Sequence, residues 1–194
     1  MLSGVCQADA AVLVIDGSTG EFESSFQGGG QVIEHAILVR SLGVQQLIVA
    51  VNKLDNVNYS EERFKFIVAQ LAPFLKSSGY KASDVQFVPC SAFKGENLVK
   101  VSEPSLASWY TGPTLLGAID LLKSPVRLKD LPLRLSLSDI FKTTALGTCV
   151  AGRVEGGTIA VGARLICRPG DLVGQVRALR RRRPKLLVYE ALSY

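Results

Sequence analysis

Apolar residues along this chain alternate between two textures. Three short stretches, 11–16, 44–51 and 84–90, are almost continuously apolar and rich in β-branched residues. Runs of that kind predict strands buried on both faces, as in a parallel sheet. Between the first two, Val32, Ile33, Ala36, Ile37, Val39 and Leu42 predict a helix over 31–42, closed by Gly43. Ser60 can cap a second helix whose first turn carries Glu61 and Glu62, favourable against the helix dipole. Phe64, Ile67, Val68, Leu71, Phe74 and Leu75 form its buried stripe, and Gly79 ends it. Pro73 falls inside that stripe and is expected to kink or shorten the helix. Residues 21–29 are expected as a loop, because Gly28, Gly29 and Gly30 favour no single conformation. Strand, helix, strand, helix, strand is the rhythm of a parallel α/β sheet.

The pattern then changes. Residues 94–112 read as an irregular excursion containing Gly95, Pro104 and the sole tryptophan, Trp109. A short helix over 114–122 carries Leu115, Leu116, Ile119 and Leu122 on its inner side. Pro125 and Pro132 mark a linker. Beyond it come short strands at 133–141, 147–154 and 163–168, separated by Gly156-Gly157 and Pro169-Gly170. That texture predicts an all-β, hairpin-rich segment, part of a small barrel.

Composition narrows the class. Hydrophobic residues make up 47% and charged residues 20% of the 194, which is globular and not disordered. No apolar run approaches the roughly 20 residues that span a bilayer. No basic start followed by an apolar core marks a secretory signal. Cys6, Cys90, Cys149 and Cys167 lack Cys-x-x-Cys spacing, so free thiols in a reducing compartment are expected and not zinc. A cytoplasmic protein without membrane contact fits. The net charge of +5 sits entirely in residues 177–194, with Arg177, Arg180, Arg181, Arg182, Arg183 and Lys185 against Glu190. Such a tail can bind RNA or act as an import signal, or it is simply a solvated, irregular terminus. His35, the only histidine, lies in a helix, where a structural role is the commoner one.

Chemistry concentrates where two strands end. The run 47–51 stops at Asn52-Lys53-Leu54-Asp55, placing those residues in the loop at the strand's carboxyl end. Open α/β sheets bind ligands at that edge. Asp55 can accept two hydrogen bonds from adjacent N–H groups of a flat base, a pair that guanine offers at N1 and N2 and adenine lacks. Asn52 can offer its amide to the base's acceptor edge, and Lys53 can lay its stem along the ring. A plain polar turn is the alternative. Ser91-Ala92 at the end of the next strand favours guanine, because both loops open on one sheet edge. There the Ala92 N–H can serve guanine O6, a donor that adenine's amino group would repel.

With these residues in hand, the chain resembles the translational GTPases of the elongation factor one-alpha group. The resemblance runs from about residue 1 to 176. It rests on Gln7-Ala8-Asp9-Ala10, Gly20-Glu21-Phe22-Glu23, Glu34-His35-Ala36, Leu42-Gly43-Val44, Asn52-Lys53-Leu54-Asp55 and the Ser91 loop. The segment from Pro132-Leu133-Arg134-Leu135 to Gly156-Gly157 is similar to that group's second domain. Glu62-Arg63-Phe64, Gly95-Glu96-Asn97-Leu98 and Trp109-Tyr110 look most like the HBS-one-like ribosome-rescue factors, which partner Pelota. The resemblance implies an α/β fold: the C-terminal half of a P-loop-type G domain, a parallel sheet with helices, followed by part of an all-β barrel domain. The implied organisation is a partial GTP-binding domain at 1–124, a linker at 125–132, a partial barrel at 133–176 and an unmatched basic tail at 177–194. It implies that Asn52 and Asp55 read the base of GTP or GDP, that Lys53 packs over it, and that Ser91, Ala92 and Phe93 close the far side. It also implies the ribosome and a Pelota-like factor as partners in translation, ribosome rescue and mRNA surveillance.

The family's phosphate loop, switch threonine and catalytic-histidine segment have no counterpart in these 194 residues, and His35 does not match that histidine. Nor does the sequence hold a counterpart of the family's magnesium ligands. Phosphoryl transfer rests on positioning and charge at the phosphates. Base contacts alone lead to an expectation of millimolar nucleotide affinity or weaker and no GTP hydrolysis by this chain. A non-enzymatic ribosome, RNA or partner-binding module, or an incomplete gene model, are the alternatives. The resemblance further implies that the strand at 11–16 presents an open apolar edge.

Overall fold

The strand that feeds Asn52 is the centre of the first unit. β2 (Gln46–Asn52) buries five consecutive residues, Leu47 to Val51, between β1 (Ala10–Asp16) and β3 (Val85–Pro89). All three run parallel, with Asp16 opposite Asn52 and Val51 opposite Pro89. Their carboxyl ends therefore share one edge. The computed structural model describes residues 5, 8–124, 126, 128–143, 147–182 and 185–191. They divide into two compact units, one spanning Ala8–Ser124 and the other formed by the described residues from 125 onward together with residue 5.

In the first unit, helices α1 (Glu21–Phe26), α2 (Gln31–Ser41) and α3 (Glu61–Ser77) contribute Phe22, Val32, Ala36, Ile67, Leu71 and Leu75 to one core. Leu13, Ile15, Leu47, Val49 and Val51 of the sheet belong to the same core. A short helix α4 (Pro104–Ala107) adds Leu106 to it. The opposite sheet face pairs Ile48 and Val88 with Ala118 of α5 (Leu115–Asp120), which Thr114 caps by accepting from Gly117 N. Val12 and Val14, which alternate with Leu13 and Ile15 along β1, are 40% and 60% exposed.

One expectation is corrected and a second is narrowed. The stretch 21–29 is not all loop, since residues 21–26 are helix α1. Gly20 at φ 87° turns the chain into it, and the Glu23 carboxylate accepts from the Gly20 N–H. Phe22 is buried and stacks on Phe26 at 5.3 Å, which supplies the packing that the glycines obscured. Pro73 does not shorten α3, which runs unbroken from Glu61 to Ser77 with Pro73 on its exposed side. The excursion at 94–112 is tied back by Trp109, whose Nε1 donates to Tyr59 O at 2.9 Å and whose ring packs on Phe64 and Tyr110.

The second unit is antiparallel. Strands β4 (Arg134–Thr143), β5 (Gly147–Gly156), β6 (Arg164–Cys167), β7 (Leu172–Arg182) and β8 (Lys185–Ala191) form one sheet in the order β4-β5-β8-β7-β6. Val150 and Val176 centre its core, with Leu135, Ile159, Ala163, Leu165 and Leu179 packed against them. The stretch from Arg177, for which a solvated, irregular terminus was one expectation, is strand over its described residues. β8 pairs on both sides, with β5 and with β7, so its backbone donors and acceptors are used in ladders. The apolar run Leu186-Leu187-Val188-Tyr189 suits such an interior strand, and the adjacent cations mask it in the sequence.

Candidate functional site

The parallel register brings three loops to one edge: residues 16–18 after β1, 52–59 after β2 and 90–96 after β3. Backbone hydrogen bonds knit them together. Gly17 N donates to Asn52 O at 2.7 Å, Leu54 N to Cys90 O at 3.3 Å and Cys90 N to Val51 O at 2.8 Å. Gly17 is needed here, because a Cβ at that position would lie 2.9 Å from Asn52 O.

Asn52 is the tie between the two predicted base loops. Its Oδ1 accepts from Ala92 N at 2.8 Å and from the Cys90 thiol at 3.9 Å. The Ala92 N–H, expected to be free for guanine O6, is therefore engaged by protein in this structure. The Nδ2 of Asn52 has no hydrogen-bond acceptor among the described residues. Burial pushes the Cys90 thiol up to about 11, so it stays neutral and unreactive at pH 7.

Asp55 follows in a 3-10 turn over Leu54–Val57 that Lys53 enters in the left-handed region at φ 60°. Leu54 is fully buried beneath the turn and fixes its depth. The Asp55 Oδ1 is buried and has no hydrogen-bond partner among the described residues. A carboxylate oxygen so placed carries a desolvation cost that a ligand N–H would relieve. It is the clearest sign of an unfilled polar contact at this edge.

Lys53 is not free. Its Nζ lies 2.6 Å from Asp16 Oδ2, with the lysine side chain 57% exposed. The hydrogen bond and charge of Asp16 raise the Lys53 pKa. Burial acts to raise the Asp16 carboxyl, but hydrogen bonds from Lys53 and Ser18 outweigh it and hold the carboxyl below its ordinary value.

In the third loop the predicted residues differ in kind. Ser91 is fully buried, exchanges both backbone hydrogen bonds with Glu96 and accepts from Lys94 N, so it anchors the turn. Phe93 is 95% exposed, a large apolar face standing in solvent. Glu96 braces the turn by accepting from the N–H groups of Ser102 and Glu103 at 2.6 and 3.1 Å. The structure thus gathers Asn52, Lys53, Asp55, Ser91, Ala92 and Phe93 on adjoining loops.

Sequence reasoning missed a group behind them. Arg63, in the first turn of α3, donates from Nε to Gly17 O at 2.9 Å and from one terminal nitrogen to Ser18 O at 2.7 Å. It also grips both carboxylate oxygens of Glu23 at 2.6 and 3.0 Å. Only the strand-end position of Asp16, matching that of Asn52, hinted in the sequence that the first loop belongs to this edge. Among the described residues no group of three or more His, Cys, Asp or Glu is placed to hold a metal ion. Cys6 lies outside the described residues, and no described helix is long and apolar enough to cross a membrane.

Known proteins can be set beside this geometry. Residues 1–128 match the family described as elongation factor Tu GTP binding domain. Protein HBS1 of Drosophila melanogaster is 52% identical over 180 residues, which cover 92% of this chain and 27% of that protein. Elongation factor 1-alpha of Pyrobaculum islandicum is 46% identical over 186 residues, covering 96% of this chain and 41% of that protein. Coverage of 96% leaves too few residues outside the alignment for all of 177–194 to be unmatched, which revises the limit placed at residue 176. Among solved structures, Sup35 complexed with GMPPNP superposes with a TM-score of 0.58 at 33% identity, over 95% of this chain and 48% of that one. The chain spans well under half the length of these relatives.

Proposed function

Because the chain belongs to the elongation factor Tu GTP-binding family, we propose that its three-loop edge is the guanine-reading part of a translational GTPase. The observation that carries this reading is the buried, unpartnered Oδ1 of Asp55. It lies one turn beyond Asn52, whose Oδ1 ties the Ser91 loop in place. Two carboxylate oxygens accept the N1–H and N2–H of guanine; the Nδ2 of Asn52 and the backbone N–H of Phe93 face its acceptor edge, while the Ala92 N–H stays on Asn52 Oδ1 and holds the two loops together. Lys53 and Phe93 cover the two ring faces. The chain supplies base specificity for GTP or GDP, within a partial GTP-binding domain at 1–124 followed by barrel strands from about residue 133.

Identity to HBS1 supports action in ribosome rescue and mRNA surveillance, with the ribosome and a Pelota-like factor as partners and the cytoplasm as the location. Basic strand β7 leaves RNA contact as a second role for the same chain.

Titration of the full chain with GDP, ADP and XDP tests the base assignment. The parent chain should prefer GDP over ADP at least about tenfold, given charge-assisted hydrogen bonds of about 1.5–3 kcal/mol. Asp55→Asn replaces one acceptor by a donor, which suits the N1–H and O2 of xanthine. The variant should lose GDP preference and gain XDP binding. Equal binding of GDP and ADP by the parent chain would refute the reading.

A further inference from the structure

The loop that carries Asp55 is held in a conformation it would not keep alone. Lys53, Asn58 and Tyr59 all have positive φ, at 60°, 50° and 54°. Non-glycine residues in that region persist only where the surroundings over-determine them. Trp109 and Cys90 hold the loop at Tyr59 O and Leu54 N, and residues 16–18 lie along its other side as a splint. Gly17 N bonds Asn52 O at 2.7 Å, Asp16 pairs with Lys53 at 2.6 Å, and Ser18 Oγ accepts from Asn56 Nδ2 at 2.9 Å. The contacts thus fall at positions 52, 53 and 56, on both sides of Asp55.

The splint is itself fastened by one side chain. The Arg63 guanidinium bonds the carbonyls of Gly17 and Ser18, and Glu23 fixes its plane by a bidentate pair. Its side chain is only 12% exposed, so these bonds have little competition from water. Phe22 and Phe66 lie beneath and beside it, with the guanidinium carbon 6.0 and 5.5 Å from their ring centres. A planar fork with five donors can satisfy two carbonyls and both carboxylate oxygens together; an ammonium, with three donors on one atom, cannot serve all four.

Resting on the guanine reading above, we propose that Arg63 is a positioning residue for base specificity. It sets the Asp55 carboxylate through the 16–18 splint without touching nucleotide. Bidentate acceptance of N1–H and N2–H requires both oxygens in register, so loosening the splint removes the second bond before the first. The consequence is specific. Arg63 governs discrimination between GDP and IDP, which differ by the exocyclic N2 amino group.

The test is the ratio of GDP to IDP affinity in the full chain, by titration, for the parent and for Arg63→Met, Arg63→Lys and Ser18→Ala. A purely structural role lowers the folded fraction and weakens both nucleotides equally, leaving the ratio unchanged. The parent should prefer GDP about tenfold. Arg63→Met should bring the ratio near one, Arg63→Lys should leave it well below the parent's, and Ser18→Ala should lower it a few-fold with little loss of thermal stability. If Arg63→Met does not fold by circular dichroism, Ser18→Ala decides. Variants that keep the parent ratio overturn the role of Arg63 while leaving the base reading intact. A parent chain that prefers GDP over neither IDP nor ADP overturns both.

Discussion

Glu23 shows how one distant ion pair reaches the site and what it does to stability. The Arg63 hydrogen bonds hold its carboxyl down at about 2, well below its ordinary 4.5. A carboxyl depressed on folding contributes stability that is fully present above the unfolded value and is lost as pH falls through the folded one. The contribution should therefore fade between about pH 4.5 and pH 2. Urea unfolding of the parent and Glu23→Gln across that range should show the variant less stable at neutral pH, with the gap closing towards pH 2. A constant gap would place the Glu23 contribution outside its charge. Neither Glu23 nor Arg63 could be assigned to the site from sequence, because they lie 40 residues apart and only the parallel topology brings them together. The position of Asn52, Lys53 and Asp55 at a strand's carboxyl end was legible, since the buried run before them stops abruptly; the Ser91-Ala92 loop was needed to favour a base over a plain turn. What stayed hidden was their engagement with protein: Asn52 with Ala92, and Lys53 with Asp16.

Elements were legible in proportion to how well their own residues state the period. β2, with five buried residues in a row, was placed within two residues at each end. Helix α1 escaped because its six residues are too few to show a 3.6 period, and its stabilising contacts with Phe66 and Arg63 come from α3. Pro73 exposes the limit of local rules in the other direction. Its ring removes an intrahelical hydrogen bond from the middle of α3, yet Leu71 and Leu75 on either side are buried in the core. Tertiary burial outweighs the local penalty. Since Pro73 itself is exposed, little packing is lost when it is replaced. Pro73→Ala should stabilise the chain by about 1–3 kcal/mol, measured by chemical denaturation. A neutral or destabilising result would mean that α3 has adapted its backbone to the proline.

The uneven covering of the sheet carries the last consequence. Leu13 and Ile15 face a full helical layer, whereas Val12 and Val14 on the other side of β1 are 40% and 60% exposed. On that side α5 covers only Ile48 and Val88, in β2 and β3. Among the described residues β1 pairs with β2 alone, so the exposed valines sit on an open strand edge. Open, apolar edges template pairing with further chains, and a single lysine is enough to discourage it. Val14→Lys should therefore reduce self-association of this chain in sedimentation velocity at concentrations where the parent forms larger species. Folding stability should change by less than about 0.5 kcal/mol, because the replaced side chain is solvent-exposed. Its long stem can lie over Val12 while the ammonium stays in water. Substituting buried Leu13 in the same way should instead unfold the unit, since it places a charge in the core shared by β1 and the helices. Equal self-association by Val14→Lys and the parent would move the source of any association away from β1.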